Sequence, residues 1–216
     1  MDPLSFLAWR FYYFFRDPVR KPPQGRLLLA PADGVLLYAR RVTGGAAPSP
    51  IKQGVPIPLD EWVGTVPYES DGTLIGIYMT ALSVHYIRSP VPGKVSHVVP
   101  RPAIGGENLH QTRTFVRLIW GMQPYEEDSR YITQNARNTI VIDGEVPAII
   151  VQIADRYVNE CDAFVAPGDQ VAGGDKIGMI RMGSQCDLFI PDSAGVKFDC
   201  RPGMPTRAGE TILGTY

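Results

Sequence analysis

Gly168-Asp169-Gln170-Val171-Ala172-Gly173-Gly174-Asp175-Lys176-Ile177 aligns without gaps on Gly203-Met204-Pro205-Thr206-Arg207-Ala208-Gly209-Glu210-Thr211-Ile212. Each copy sets a turn glycine, a β-branched residue three positions on, a second turn glycine followed by an acid, and an apolar residue opening the next strand. Chemistry so dense in turns builds short strands separated by tight reversals. Pro90-Val91-Pro92-Gly93-Lys94-Val95 and Pro191-Asp192-Ser193-Ala194-Gly195-Val196 repeat the passage from turn into strand. Further apolar runs predict strands at 27–30, 35–38, 74–79, 93–99, 114–119, 138–142 and 148–153. The 22 glycines and 20 prolines are scattered along the chain, so they punctuate strands and do not mark a disordered tract. The expected class is mainly β with minor helices, an α+β fold.

Working outward, the two copies resemble the paired hammerheads of a barrel-sandwich hybrid, the fold of lipoyl and biotinyl carrier domains. A chain of 216 residues, 44% hydrophobic, buries enough apolar surface for one compact unit, expected over 26–216. Residues 1–25 read as a membrane-associating segment and linker. Leu4, Phe6, Leu7, Trp9, Phe11, Tyr12, Tyr13, Phe14 and Phe15 crowd a stretch bracketed by Arg10 and Arg16, too short to cross a bilayer and suited to lying on one. Arg20, Lys21 and Arg26 extend its positive charge, which favours an anionic lipid surface. Packing of this segment on the protein's own core or on a second copy is the competing reading.

Composition also excludes. A net charge of −1 lacks the footprint of a nucleic-acid binder. Cys161, Cys186 and Cys200 form neither a C-x-x-C pair nor a metal-ligand cluster, so no metal is expected and a reducing, cytoplasmic setting is. Met1 onwards shows no basic start, apolar run and small-residue cleavage site of a secretory signal.

The residues with chemical potential are few. Gly183-Ser184 places a hydroxyl after a sterically open carbonyl at the mouth of a strand, an arrangement that taken alone is most often a turn. Asp33-Gly34 alone reads as a hairpin turn, and His85, among Val84, Tyr86 and Ile87, equally as a bonded core histidine. Arg88 and Arg181 offer guanidinium forks that match phosphate or carboxylate, although surface ion pairing is their ordinary use. His97 and His110 carry no supporting motif.

Taken together, Met182-Gly183-Ser184, Pro31-Ala32-Asp33-Gly34, Ser83-Val84-His85 and Phe14-Phe15-Arg16-Asp17-Pro18 resemble the phosphatidylserine decarboxylase family of pyruvoyl-dependent enzymes, from about residue 11 to the end of the chain. Removing CO2 from an amino acid leaves a carbanion that needs an electron sink, and Lys52, Lys94, Lys176 and Lys197 lie in no phosphate-cradling loop that would hold pyridoxal phosphate. The resemblance implies that Ser184 attacks the Gly183 carbonyl, that the chain breaks into a β chain (1–183) and an α chain (184–216), and that residue 184 becomes a covalent pyruvoyl group, the cofactor. Its carbonyl would form a Schiff base with the amine of phosphatidylserine and yield phosphatidylethanolamine. The resemblance makes His85 the proton donor after CO2 leaves and Asp33 an assistant in self-cleavage. It leaves Arg88 and Arg181 as substrate-binding candidates.

Ser83 stands where many relatives have Asp, and Arg88 where longer ones have a second histidine. The base for self-cleavage is therefore either Asp33 directly or His85 serving both steps. The implied setting is peripheral, on the cytoplasmic face of the cell membrane, with a membrane phospholipid as partner and a homo-oligomer expected. Competing readings are an archaetidylserine decarboxylase, a pyruvoyl decarboxylase of a soluble amino acid, and a non-catalytic carrier module. A carrier would present a lysine at the hairpin tip, where this chain has Met182-Gly183-Ser184.

Overall fold

The computed structural model describes residues 14–47, 57–58, 60–61, 71–127, 129–156, 161–181 and 184–216. Among them the strands are β1 (Leu27–Leu29), β2 (Gly34–Val42), β3 (Ala46–Ala47), β4 (Ile57–Pro58), β5 (Gly72–Met79), β6 (Tyr86–Arg88), β7 (Gly93–Arg101), β8 (Arg137–Asp143), β9 (Ala148–Ala154), β10 (Cys161–Ala163), β11 (Gln170–Val171), β12 (Lys176–Ile180), β13 (Ser184–Pro191), β14 (Lys197–Phe198), β15 (Pro205–Thr206) and β16 (Ile212–Thr215). Helices among the described residues include α1 (Thr112–Ile119), the single turn α2 (Tyr131–Gln134) and a 3-10 turn at Asp192–Ala194.

The main sheet runs β11-β7-β8-β9-β13-β5-β2-β15, and its order reads as two matching halves meeting between β9 and β13. The repeated segments lie at its two edges. Val171 of β11 pairs with Gly93 of β7, and Thr206 of β15 pairs with Gly34 of β2. Both inner partners carry a register shift at the matching place, between Val95 and His97 in β7 and between Leu36 and Tyr38 in β2. The halves also exchange bonds: Leu29 N–H donates to Pro90 O at 2.9 Å, and Arg88 N–H to Pro31 O at 2.8 Å. Gly174 N–H reaches Ser89 O while Gly209 N–H reaches Ala30 O. Two small sheets, β1-β16-β14 and β10-β12-β6, complete the halves. The mainly β architecture built on twin hammerheads is thus observed.

Turn glycines enforce this layout. Gly174 and Gly209 have φ of +88° and +73°, and a Cβ on Gly209 would lie 3.1 Å from the Gly174 Cα. One core, including Leu28, Ile75, Ile87, Val95, Ile140, Ile177, Cys186 and Leu213, is enclosed between the halves. A second, including Tyr38, Leu74, Tyr131, Val151 and Phe189, lies on the other face of the main sheet under α2. Burial at this scale, about 25 cal/mol per Å2 of apolar surface, is the main force holding the sheets together.

One predicted strand is a helix. The run 114–119 is α1, because its β-branched residues follow a helical period: Thr114 is buried and Leu118 packs on the second core, whereas Phe115, Val116 and Ile119 face out. Residues 14–25 are tied to the sheets at a few points. Phe14 is buried, Asp17 pairs with Arg88 and Lys176, and Arg20 pairs with Asp33 and Glu210. The aromatic stretch 1–13 lies outside the described residues.

Candidate active site

Ser184 opens β13, and this strand lies inside the main sheet with a partner on each side. Residue 184 stands opposite Met79 of β5 and Ala154 of β9, so its backbone is held in a ladder from its first position. Gly183 and the Ser184 side chain lie outside the described residues. The chain reaches the junction from β12, which ends at Ile180 and is followed by Arg181.

His85 occupies the same corner. The turn that follows Met79 is closed by Ser83, whose Oγ accepts from Thr80 N–H at 3.0 Å, and His85 comes two residues later. The His85 carbonyl accepts from Ile180 N–H at 3.2 Å, so both strand ends that lead to residue 184 also lead to this histidine. Its ring is fully buried against Phe14, with centroids 4.2 Å apart. Nδ1 lies 2.9 Å from Ser83 O, and Nε2 is buried with no hydrogen-bond partner among the described residues. Burial pushes the imidazole pKa down to about 4, with Arg16 adding to the shift and the Ser83 carbonyl opposing it. A neutral ring whose Nδ1–H donates to a carbonyl leaves Nε2 as a bare acceptor. That is the form of a base.

Asp33 lies at the same end of the sheet but is committed to the fold. Val35 pairs with Tyr78, itself the partner of Gln185, so β5 separates Asp33's strand from β13 and their backbones are about 10 Å apart. Both Asp33 oxygens accept from Arg20, at 3.0 and 2.8 Å, and Oδ1 also accepts from Ala208 N–H at 2.7 Å. It therefore anchors the second repeated segment. Arg88 is likewise occupied, donating to Gly174 O and to Asp17 Oδ1, both at 2.9 Å. Arg181 donates from Nε to Asp162 Oδ2 at 2.8 Å and remains half exposed beside the junction.

Residues that sequence reading missed lie just beyond Ser184. Gln185 and Asp187 are fully buried on β13. Tyr38 OH donates to Asp187 Oδ2 at 2.7 Å, Gln185 Nε2 to Asp187 Oδ1 at 2.6 Å and to Tyr38 OH at 2.8 Å, and Tyr131 OH to Gln185 Oε1 at 2.6 Å. Thr114 of α1 closes the network, 3.1 Å from Tyr131 OH and 2.9 Å from Ser129 Oγ. Burial and the Asp187 charge hold Tyr38 well above the ordinary tyrosine pKa, so it stays a donor. The available signal was two polar residues, 185 and 187, alternating within an apolar strand.

These residues fit a carbonyl group made from Ser184. Such a group needs a fixed backbone, a dry corner and an uncommitted proton acceptor, and the ladder at 184, the Phe14 ring and His85 Nε2 meet those needs in turn.

The sequence profile of the phosphatidylserine decarboxylase family matches residues 7–214. The chain is 32% identical over 206 residues to a phosphatidylserine decarboxylase proenzyme of Pelodictyon phaeoclathratiforme, covering 94% of this chain and 78% of that one. It is 31% identical over 215 residues to a putative archaetidylserine decarboxylase proenzyme of Methanopyrus kandleri, covering 97% and 85%. A similar likeness, 33% over 205 residues with 94% and 79% covered, links it to the putative archaetidylserine decarboxylase proenzyme of Methanothermobacter thermautotrophicus. With the match spanning both repeated segments and the Ser184 junction, the chain belongs to the phosphatidylserine decarboxylase family of carboxy-lyases.

Proposed function

We propose that this chain is a proenzyme that cleaves itself between Gly183 and Ser184 and then decarboxylates a serine phospholipid, phosphatidylserine or its archaetidyl counterpart, at a membrane surface. The observations that carry the reading are the ladder that holds residue 184 opposite Met79 and, past the turn that follows Met79, a buried His85 whose Nε2 has no hydrogen-bond partner among the described residues. Family membership supplies the reaction class, and relatives of both lipid types share the serine headgroup. No helix among the described residues is long and apolar enough to cross a membrane.

In this reading His85 Nε2 takes the Ser184 hydroxyl proton as Oγ attacks the Gly183 carbonyl and passes it to the Ser184 nitrogen as the Gly183 C–N bond breaks, leaving an ester. β-Elimination then frees the Gly183 carboxylate, and the dehydroalanine left at 184 tautomerises and takes up water, releasing ammonia and leaving the carbonyl. Asp33 holds the repeated segment in place through Ala208 and is not the base. A pyruvoyl carbonyl at position 184 supplies the electron sink that loss of CO2 requires. The ladder to Met79 and Ala154 keeps the new chain end where it was made, and the bonds of Gln185 and Asp187 secure it from the other face of the strand. Phe14 keeps water from the imidazole, and Arg181 is the rim cation assigned to the lipid phosphate.

Intact-mass measurement of purified protein tests the reading. Two chains are expected, the smaller beginning at residue 184, lacking a free amino group and reacting with hydrazine; Ser184→Ala should remain whole and inactive. A single unmodified chain that still releases CO2 from serine lipid would refute it.

A further inference from the structure

The chain from Phe14 to Pro22 tracks the segment that holds His85. Phe14 lies on the His85 ring, with centroids 4.2 Å apart, and Asp17, three positions on, pairs with Arg88, three positions beyond His85. The two segments thus run side by side in the same direction, and one register sets both contacts.

The register is pinned at both repeated segments. Arg88 of β6 and Lys176 of β12 are ladder partners, and like charges directly opposite one another repel. Asp17 settles between them: Oδ1 accepts from Arg88 at 2.9 Å and Oδ2 from Lys176 at 2.7 Å. Although burial opposes it, Lys176 and Arg88 hold the Asp17 carboxyl below its ordinary range. Further along, the Arg20 guanidinium is divided between Asp33 and Glu210, and Lys21 N–H donates to Glu210 at 3.0 Å. Pro22 then fills the space over Gly174, where a Cβ would fall 2.5 Å from its Cγ. Lys176 belongs to the first repeated segment and Glu210 to the second, so the strap is fastened to both.

What the strap delivers is the Phe14 ring. Phe14 is buried, and Phe15 meets it edge-on at 5.2 Å. Charge near the imidazole comes from Arg16 of the strap, which donates to the Leu82 carbonyl. On the flanking side, Ile180 N–H bonds the His85 carbonyl and Arg181 pairs with Asp162, while Tyr86 of β6 lies under the Lys176 ammonium. The turn at 80–83 adds the hydroxyls of Thr80 and Ser83. Among the described residues no carboxylate bonds the ring, and a positive imidazole there would need water, which the Phe14 ring displaces.

We infer that residues 14–22 are a positioning strap for proton transfer at His85: Phe14 seals the imidazole, and Asp17 and Arg20 hold the seal in register. The inference rests on the reading of His85 as the base for self-cleavage, but its first measurement does not depend on cleavage.

That measurement uses the whole chain carrying Ser184→Ala, with labelled histidine followed by NMR and the His85 signal assigned by its loss in His85→Gln. In this background the ring should stay neutral down to pH 5. Adding Phe14→Ala should raise its titration midpoint by about one pH unit or more, towards the ordinary 6.5, whereas Phe14→Leu, which keeps an apolar cover, should move it much less. Asp17→Asn, with Phe14 intact, should shift it in the same direction and carries the test if Phe14→Ala does not fold. With Ser184 restored, self-cleavage of freshly synthesised chain should vary little between pH 8 and 5 in the parent. In Phe14→Ala it should fall about tenfold over that range from a near-parental rate at pH 8. A midpoint that stays put in the unsealed variants, or that Phe14→Leu raises as far as Phe14→Ala, overturns the inference. So does a raised midpoint with an unaltered cleavage profile. If the midpoint moves as expected yet the parent chain never splits, the seal on His85 stands and the self-cleavage reading falls.

Discussion

Tyr38 reaches Asp187 across an intervening strand: its ring passes over β5 and its hydroxyl ends 2.7 Å from Asp187 Oδ2. Gly76 makes this reach possible. It is the ladder partner of both residues, and a Cβ there would fall 2.3 Å from Tyr38 Cζ. Gly76→Ala should therefore push the ring aside, break the bond to Asp187 and cost about 3 kcal/mol in urea unfolding.

Removing the hydroxyl alone is a gentler probe of the same network. Tyr38→Phe leaves a buried carboxylate short of one donor and should cost about 2 kcal/mol. Because Gln185 adjoins residue 184, turnover by the processed enzyme should fall through kcat with KM nearly unchanged. A normal kcat with reduced stability would confine the network to folding.

His85 gives the fold a pH dependence of known sign. Its folded pKa, about 4, lies below the ordinary 6.5, so the unfolded chain binds the extra proton between those values. The stabilising effect of keeping the ring neutral is complete above pH 6.5 and lost as pH falls towards 4, about 3 kcal/mol in all. His85→Gln should flatten the stability profile in that window, as followed by thermal melts at successive pH values.

Asp33 and His85 should separate in self-cleavage. Asp33→Asn weakens the Arg20 pair and should cost about 2 kcal/mol, since Glu210 still partners Arg20. The folded fraction should nevertheless split into two chains at close to the parental rate. His85→Gln should stay whole while remaining folded at pH 7. The opposite pattern on denaturing gels would return the base to Asp33.

The hammerhead contact can be tested by stability alone. Gly209→Ala sets a Cβ 3.1 Å from the Gly174 Cα at a residue with φ of +73°. A loss of about 2 kcal/mol is expected from the left-handed backbone alone. The same substitution at Gly195, also at positive φ but with nothing nearby, should cost less.

The sequence by itself determined what neighbouring residues decide. Turn glycines at 168, 174, 203 and 209, each followed at fixed offsets by β-branched and apolar residues, specified the twin hammerheads, because turn conformation is set within a few residues. The same locality made Ser184 legible as the start of a strand. It misled at 114–119, where a β-branched run took a helix because Thr114 and Leu118 found partners under the sheet. Tertiary structure alone decided what each candidate does. Arg20 and Asp33, Arg88 and Asp17, and Tyr38 and Asp187 meet across 13, 71 and 149 positions of chain. Only the folded sheets bring such partners together, and only burial leaves His85 neutral with a bare nitrogen, because desolvation depends on what packs around the ring and not on the residues beside it.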